Sequence, residues 1–478
     1  MFPALARPRP HWSRLFAAGL LFLLFLELLR LLLPLRVDDL FSVYGYFVIA
    51  FLFGIYFCNC GFSGPATIRL FLAYLIWLLL TRWLCGDFYL FIHEPLLYNI
   101  LLCFLCFVMG TVLEAKQRDR FLLAATVIYA GFFTVFALVG LLVAVTGTYI
   151  HIPPENVWIN LVSSGGINGL NLLSTIRLIT APRIFMAMAL LAHRFFSCRK
   201  RVWRALLVLA FVILHLALSL CYSRSVQICL SLCWAGLGLL LVLRRENLKK
   251  PLRLGLLVLV PLLAFLLCYK SFALSNNFTA AVRGTVAPRV AAAYARSEPM
   301  IDPDLVGVQK EQQTSIDLHD NRSVAGNVTL SERTLIWASV PDVLRENPRI
   351  VLVGQSKKNM MDAVNHALHL RFPSVTEQKP HMHNVPLQVL LLTGIPGFLL
   401  VLGWMLLIVL SAFSGSVSHN RLTLSYQLLA VFIAAFILYN MVESFLFASM
   451  DLCSLVFFLI AGVYQGELLS LQPMKKAA

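Results

Sequence analysis

A histidine–asparagine pair, His383-Asn384, stands where a long polar stretch gives way to an apolar one. Nine residues later the chain reads Gly394-Ile395-Pro396-Gly397. Imidazole is the side chain best suited to take and return a proton near neutral pH. At a membrane border it would serve a substrate whose hydroxyl must be deprotonated in water-exposed space. Taken alone, His383 also fits a loop histidine that hydrogen-bonds its neighbours. The glycines fit close approach of a backbone or ligand, or packing between membrane helices, equally well.

Arginines form the second signal. Arg224 lies in the short polar stretch Cys221-Tyr222-Ser223-Arg224-Ser225, Arg333 in the long polar segment, and Arg177 and Arg183 near the start of another apolar run. In the topology derived below all four fall on the outer side, where basic residues beside spans are disfavoured, so an anionic partner is expected. A guanidinium matches phosphate oxygens with a two-pronged fork. The diphosphate head of a polyprenyl lipid would be such a partner; snorkelling to lipid phosphates or nearby carboxylates is the plainer alternative. Glu443, also at an outer mouth, is a costly charge near lipid. It could orient His383, bind a sugar hydroxyl, or simply pair with an arginine.

A metal is not expected. The long segment holds His319, His366, His369, His381 and His383, but no HExxH pairing and no obvious supporting acid. Asp302-Pro303-Asp304 lacks a surrounding nucleotide-binding α/β pattern. Of eleven cysteines, nearly all lie in or at the ends of apolar runs, and residues 273–385 contain none. They read as small apolar side chains, and no disulfide framework or cofactor is expected.

The elements that must position these groups are set by composition. Hydrophobic residues make up 59% of 478 and charged ones 13%, against about 25% charged in soluble domains. Apolar runs long enough to cross ~30 Å of hydrocarbon as helix recur along the chain. They lie near 15–35, 40–57, 67–85, 95–113, 121–149, 182–197, 203–222, 225–243, 252–272, 386–412, 422–442 and 450–469. The expected fold is an all-α polytopic membrane protein of about twelve transmembrane helices. Residues 1–272 would hold the first nine, 273–385 a large, partly helical extracytoplasmic loop, and 386–478 the last three with a short tail. The first run reads as a retained anchor, because Leu35-Arg36-Val37-Asp38-Asp39 follows it with no small-residue cleavage site.

Basic residues fix the orientation. Arg7, Arg9 and Arg14, then Lys116, Arg118 and Arg120, then Arg199 to Arg204, then Arg244 to Arg253, and finally Lys475 and Lys476 all fall on one side of a twelve-span arrangement. That side should be cytoplasmic, with both termini there. The net charge of +16 therefore marks topology, and nucleic acid is not an expected partner. Within the loop, 331–347 and 357–370 carry apolar residues at helical spacing, with Ile336, Val340, Val343 and Leu344 repeating along the first and Met361, Val364 and Leu368 on one face of the second. Pro341 predicts a bend or break. Three glycosylation-like triplets begin at Asn277, Asn321 and Asn327.

These features together resemble the O-antigen ligase and O-antigen polymerase family of bacterial envelope glycan transferases. The resemblance rests on Ser223-Arg224, Arg333 with Trp337, Asn347-Pro348, Gly354, His383-Asn384 with Gly394 and Gly397, and Glu443. The chain departs from the family pattern at Gln355-Ser356 after Gly354, at Pro182-Arg183, and at Pro341. The resemblance implies that His383 is the general base and that Arg224 and Arg333 hold the diphosphate of an undecaprenyl-linked glycan donor. Arg177, Arg183, Asn384 and Glu443 are expected on the substrate. It also implies transfer without a metal, to a glycan, lipid or protein acceptor, at the outer face of the cytoplasmic (inner) membrane. A transporter or flippase of lipid-linked saccharides would share the arginines; it would not need an outer histidine, and it often shows internal repeats, which this chain lacks.

Overall fold

The computed structural model describes residues 10–31, 65–88, 95–152, 157–164, 167–174, 177–245, 249–296, 306–308, 325–373, 382–418, 422–449 and 451–471. The expected span at 40–57, Asp302-Pro303-Asp304, His319 and His381 lie outside them.

Helix dominates because the chain is made of long Leu-, Ala- and Phe-rich runs whose backbone groups have no partner in hydrocarbon except one another. Successive helices are α1 (Pro10–Arg30), α2 (Ala66–Leu84) and α3 (Pro95–Val112). Next come α4 (Ala115–Ala125) and α5 (Gly131–Thr146), joined by a π-helical turn over Thr126–Ala130. Then follow α6 (Arg177–Ser197), α7 (Arg201–Leu220), α8 (Arg224–Leu243) and α9 (Lys250–Tyr294). Seven helical segments among the described residues are long and apolar enough to cross a membrane, and two shorter apolar helices accompany them. The expected count of twelve is not reached by that measure, but helices occupy every expected span that falls among the described residues.

Two features depart from the expected architecture. Strands β1 (Thr148–Ile152), β2 (Val157–Ser164), β3 (Ile167–Ser174) and β4 (Val306–Val308) form an antiparallel sheet in the order β3-β2-β1-β4. Residues such as Tyr149, Ile150 and Ile159 supply the β-branched and aromatic side chains that suit a half-buried pleated surface. The second departure is α9. Apolar character stops near 272, yet the helix continues to Tyr294 because Ala-rich sequence sustains it without lipid. Its 45 residues span roughly 67 Å at 1.5 Å per residue, about twice a bilayer core. The projecting end is held where Arg283 donates to the Ala144 carbonyl at 2.7 Å.

The remaining elements build a helical cap and the spans beneath it. The cap comprises α10 (Ala325–Glu346), α11 (Arg349–Val353) and α12 (Lys357–Arg371). Ile336, Val340, Val343, Ile350, Met360, Met361, Val364 and Leu368 pack together as its core, with Leu344 partly buried against them. Pro341 does not break α10; the helix runs through it. Ser356 caps α12 by accepting from the Asn359 amide at 3.2 Å. After the cap come α13 (Val385–Ser418), α14 (Leu424–Tyr439) and the deeply buried α15 (Leu452–Leu471).

Cap and spans meet at a backbone-to-backbone crossing. Gly354 ends α11 at φ +65°, and Gly394 kinks α13 at φ +68°. A Cβ on Gly354 would overlap the Leu392 backbone, and one on Gly394 the Leu352 carbonyl. Only glycine satisfies both the positive φ and the missing space. Around this crossing the Gln355 amide donates to Leu391 O at 2.9 Å and Trp77 Nε1 to Thr393 O at 2.7 Å. The buried Arg82 guanidinium reaches Leu392 O and pairs with Asp87 at 3.1 Å. Arg349 ties α11 to the end of α2 by donating to Leu84 O at 2.9 Å.

Candidate functional site

The site is assembled at the junction between α13 and the chain leaving α14. Asn440 follows α14 and is fully buried. Its Oδ1 accepts from the Phe445 and Leu446 amides at 3.0 and 2.9 Å, and its Nδ2 donates to Phe436 O at 2.8 Å. One amide side chain thus folds residues 440–446 into a tight turn that points Glu443 back toward α13. From beneath, Phe447 anchors the turn. Its ring lies 5.3–5.4 Å from those of Phe71, Tyr74, Trp404 and Phe458, within the range of favourable aromatic pairs.

The opposite wall is His383-Asn384. Asn384 Oδ1 accepts from the Leu387 amide at 2.9 Å, so this residue is the N-cap of α13. Its Nδ2 donates to Met441 O at 2.8 Å, and its backbone N–H donates to Ser444 Oγ at 3.0 Å. Just upstream, Trp337 Nε1 from the cap donates to Met382 O at 2.8 Å. Pinned on both sides, His383 adopts φ +51°. That left-handed conformation costs a non-glycine residue of order 1–3 kcal/mol and persists only where its surroundings over-determine it.

Glu443 joins the two walls. Its Oε2 lies 3.0 Å from His383 Nδ1 and its Oε1 2.6 Å from Arg333 Nη2. Arg333 also donates through Nη1 to Val442 O at 2.9 Å. The carboxylate is nearly buried, at 7% exposure, while Arg333 and His383 keep 16% and 21%. With Nδ1–H donating to the carboxylate, the basic lone pair of the ring resides on Nε2. A carboxylate that fixes the tautomer and orientation of a histidine is the logic of an activated general base.

The other sequence-derived candidates are placed as follows. Arg224 is the exposed first residue of α8, after a turn in which Tyr222 has φ +51°. α8 and α14 run antiparallel, with Cys229 Sγ 3.4 Å from Ala435 O and Arg244 Nε 3.0 Å from Gln427 Oε1 at the far end. Arg224 and Asn440 each lie five residues, roughly 7.5 Å, beyond the first of these contacts. Arg224 is therefore level with the Glu443 turn. Arg177 begins α6, and its side chain lies outside the described residues.

Two candidates depart from expectation. Asn384 was expected to bind substrate, but its side chain is committed to capping α13 and to the Met441 carbonyl. Arg183, expected to face substrate, is 5% exposed. Its Nε and Nη2 bind Asp451 at 2.7 and 2.6 Å, and Nη1 donates to Leu173 O at 3.3 Å. A guanidinium inside a protein requires such a bidentate carboxylate to offset desolvation. The sequence reading also missed Asn440, Ser444 and Asp451. Their only available signal was their polarity at the mouth of the last two spans.

These features define a multi-pass helical membrane protein that presents an imidazole, a carboxylate and a guanidinium in hydrogen-bonded series at one end of its spans. Residues 205–402 match the family model described as O-antigen ligase. The matched residues include Arg224, Arg333, His383 and the Gly354–Gly394 crossing; Glu443 and Asp451 lie beyond them. No curated protein matches the chain.

Proposed function

We propose that the protein transfers a glycan from an undecaprenyl-diphosphate carrier to an acceptor hydroxyl at the outer face of the cytoplasmic membrane, with both termini inside. The observation that carries this reading is the Arg333–Glu443–His383 series, 2.6 Å on one side and 3.0 Å on the other.

In the proposed step the acceptor oxygen attacks the anomeric carbon. Its proton passes to His383 Nε2 while the bond from that carbon to the diphosphate oxygen breaks. The lipid diphosphate departs with the electron pair, and direct attack inverts the anomeric configuration. Glu443 holds the ring and stabilises the imidazolium that forms. Arg333 and Arg224 face the growing negative charge of the leaving group; fixed cations there stabilise a transition state without reorganising. Arg333 serves two ends, because the guanidinium fork that grips Glu443 Oε1 and Val442 O still has N–H donors to offer. The alternative of a flippase for the same lipid gives no use for a carboxylate-oriented imidazole.

The test is transfer by purified protein from a lipid-linked glycan. His383→Ala lowers turnover by about 10²–10⁴-fold, the usual share of a general base, while folding and donor binding persist. Near-normal turnover in that variant would remove the base assignment. Chain growth from donor alone identifies a polymerase, and silence until a second acceptor is added identifies a ligase.

A further inference from the structure

A second polar cleft lies in the cap, away from His383. It encloses about 400 Å³ between α10, α11 and α12 and is lined by Val343, Glu346, Asn347, Ile350, Gln355, Asp362, Ala363 and His366. That size falls at the lower end of small-ligand pockets, roughly 300–1,000 Å³. Val343 and Ile350 are buried and form an apolar floor. Glu346, Asn347, Asp362 and His366 form an exposed polar rim. Gln355 Nε2 is buried without a protein partner among the described residues. A buried amide donor in that state is costly unless a ligand or water meets it.

The chemistry narrows the ligand. Two carboxylates and no lysine or arginine line the cleft, in a chain of net charge +16. Phosphates and acidic sugars are repelled there. Amides, carboxylates and an imidazole around an aliphatic floor suit a ring with hydroxyls on its edge and C–H groups on its face. The position is informative too. Glu346 and Arg333 share α10 and stand thirteen residues apart, about 20 Å. The same helix reaches the base through the Trp337–Met382 bond.

We propose that this cleft is a saccharide subsite that holds a neutral or amine-bearing sugar unit of the glycan substrate, remote from the bond being made. The proposal rests on the glycan-transfer reading of the His383 site. Binding in the cleft fixes the chain at its far end and lets its reacting end be positioned at the base.

The test uses full-length protein in detergent and saturation-transfer NMR with glucose, glucosamine and glucuronate as probes. Glucose and glucosamine are expected to bind, and glucuronate at least about tenfold more weakly. Gln355→Leu and Asp362→Asn each weaken the first two by about tenfold, as expected for one or two lost hydrogen bonds, with unchanged thermal midpoints. His383→Ala leaves this binding intact. No binding of glucose or glucosamine, equal binding of glucuronate, or indifference to both cleft substitutions would each overturn the proposal. The base assignment is read separately, from transfer: normal turnover in His383→Ala defeats that assignment and leaves the binding result to judge the cleft.

Discussion

Glu443 is the residue on which the site turns, because its carboxylate bonds both His383 and Arg333. Replacing it with Gln keeps the shape and removes the charge. Charge-assisted hydrogen bonds contribute about 1.5–3 kcal/mol each, so Glu443→Gln should lower kcat by roughly 10–100-fold. KM for donor should rise as well, since Arg333 loses its anchor; steady-state kinetics in which only one parameter moves would show that the carboxylate serves one neighbour alone. Arg333→Lys tests geometry more than charge. An ammonium cannot span Glu443 and Val442 in one plane, and donor use should recover only in part relative to Arg333→Ala. At this scale much of the site was legible. His383, Arg333 and Glu443 stood out because a titratable group at a membrane edge is expensive and invites a reason. Asn384 was read as a substrate contact because capping depends on where a helix begins, and boundaries are the weakest part of a sequence reading. Asn440 gave no signal, since nothing in the sequence says which asparagine will fold a turn through its own side chain.

Among elements, the α11–α13 crossing and the α6–α15 tie carry the load. Gly394→Ala and Gly354→Ala each force a Cβ into backbone at a positive φ. Overpacking costs ~1–3 kcal/mol, so both variants should melt several degrees lower in detergent. An unchanged midpoint would mean that the crossing relaxes without cost. Asp451→Ala strands a buried guanidinium at Arg183, and breaking a buried pair typically costs about 3–5 kcal/mol. Joint replacement of Arg183 and Asp451 by Met and Leu should recover a large part of that loss, measured as yield and thermal midpoint. The elements themselves were largely visible, since long apolar runs have few alternatives in lipid. The sheet at 148–174 was not, although Thr148-Tyr149-Ile150-His151-Ile152 alternates as a strand should. The membrane pattern on either side dominates the sequence there and masks that signal. The end of α9 lies beyond what hydropathy shows, because hydropathy reports lipid contact whereas helix persists through an Ala-rich stretch.

For the whole molecule, the antiparallel run of α8 and α14 places Arg224, Asn440 and the His383 site at one end, with Arg244, Gln427 and Leu422 at the other. Arg118 with Glu467, and Tyr426 with Asp119, belong to that second end. The basic loops predict that the second end is cytoplasmic. A membrane-impermeant thiol reagent applied to intact cells should therefore label His366→Cys and spare Arg120→Cys. Most native cysteines among the described residues are buried and should add little background. Labelling of position 120 alone would invert the topology and place the site with the nucleotide pool. Cap and spans cross at Gly354 and Gly394 with no side chain between them. A roof rooted in that way has little room to swing at this crossing. Amides near residue 354 should therefore exchange hydrogen as slowly as those deep inside α13.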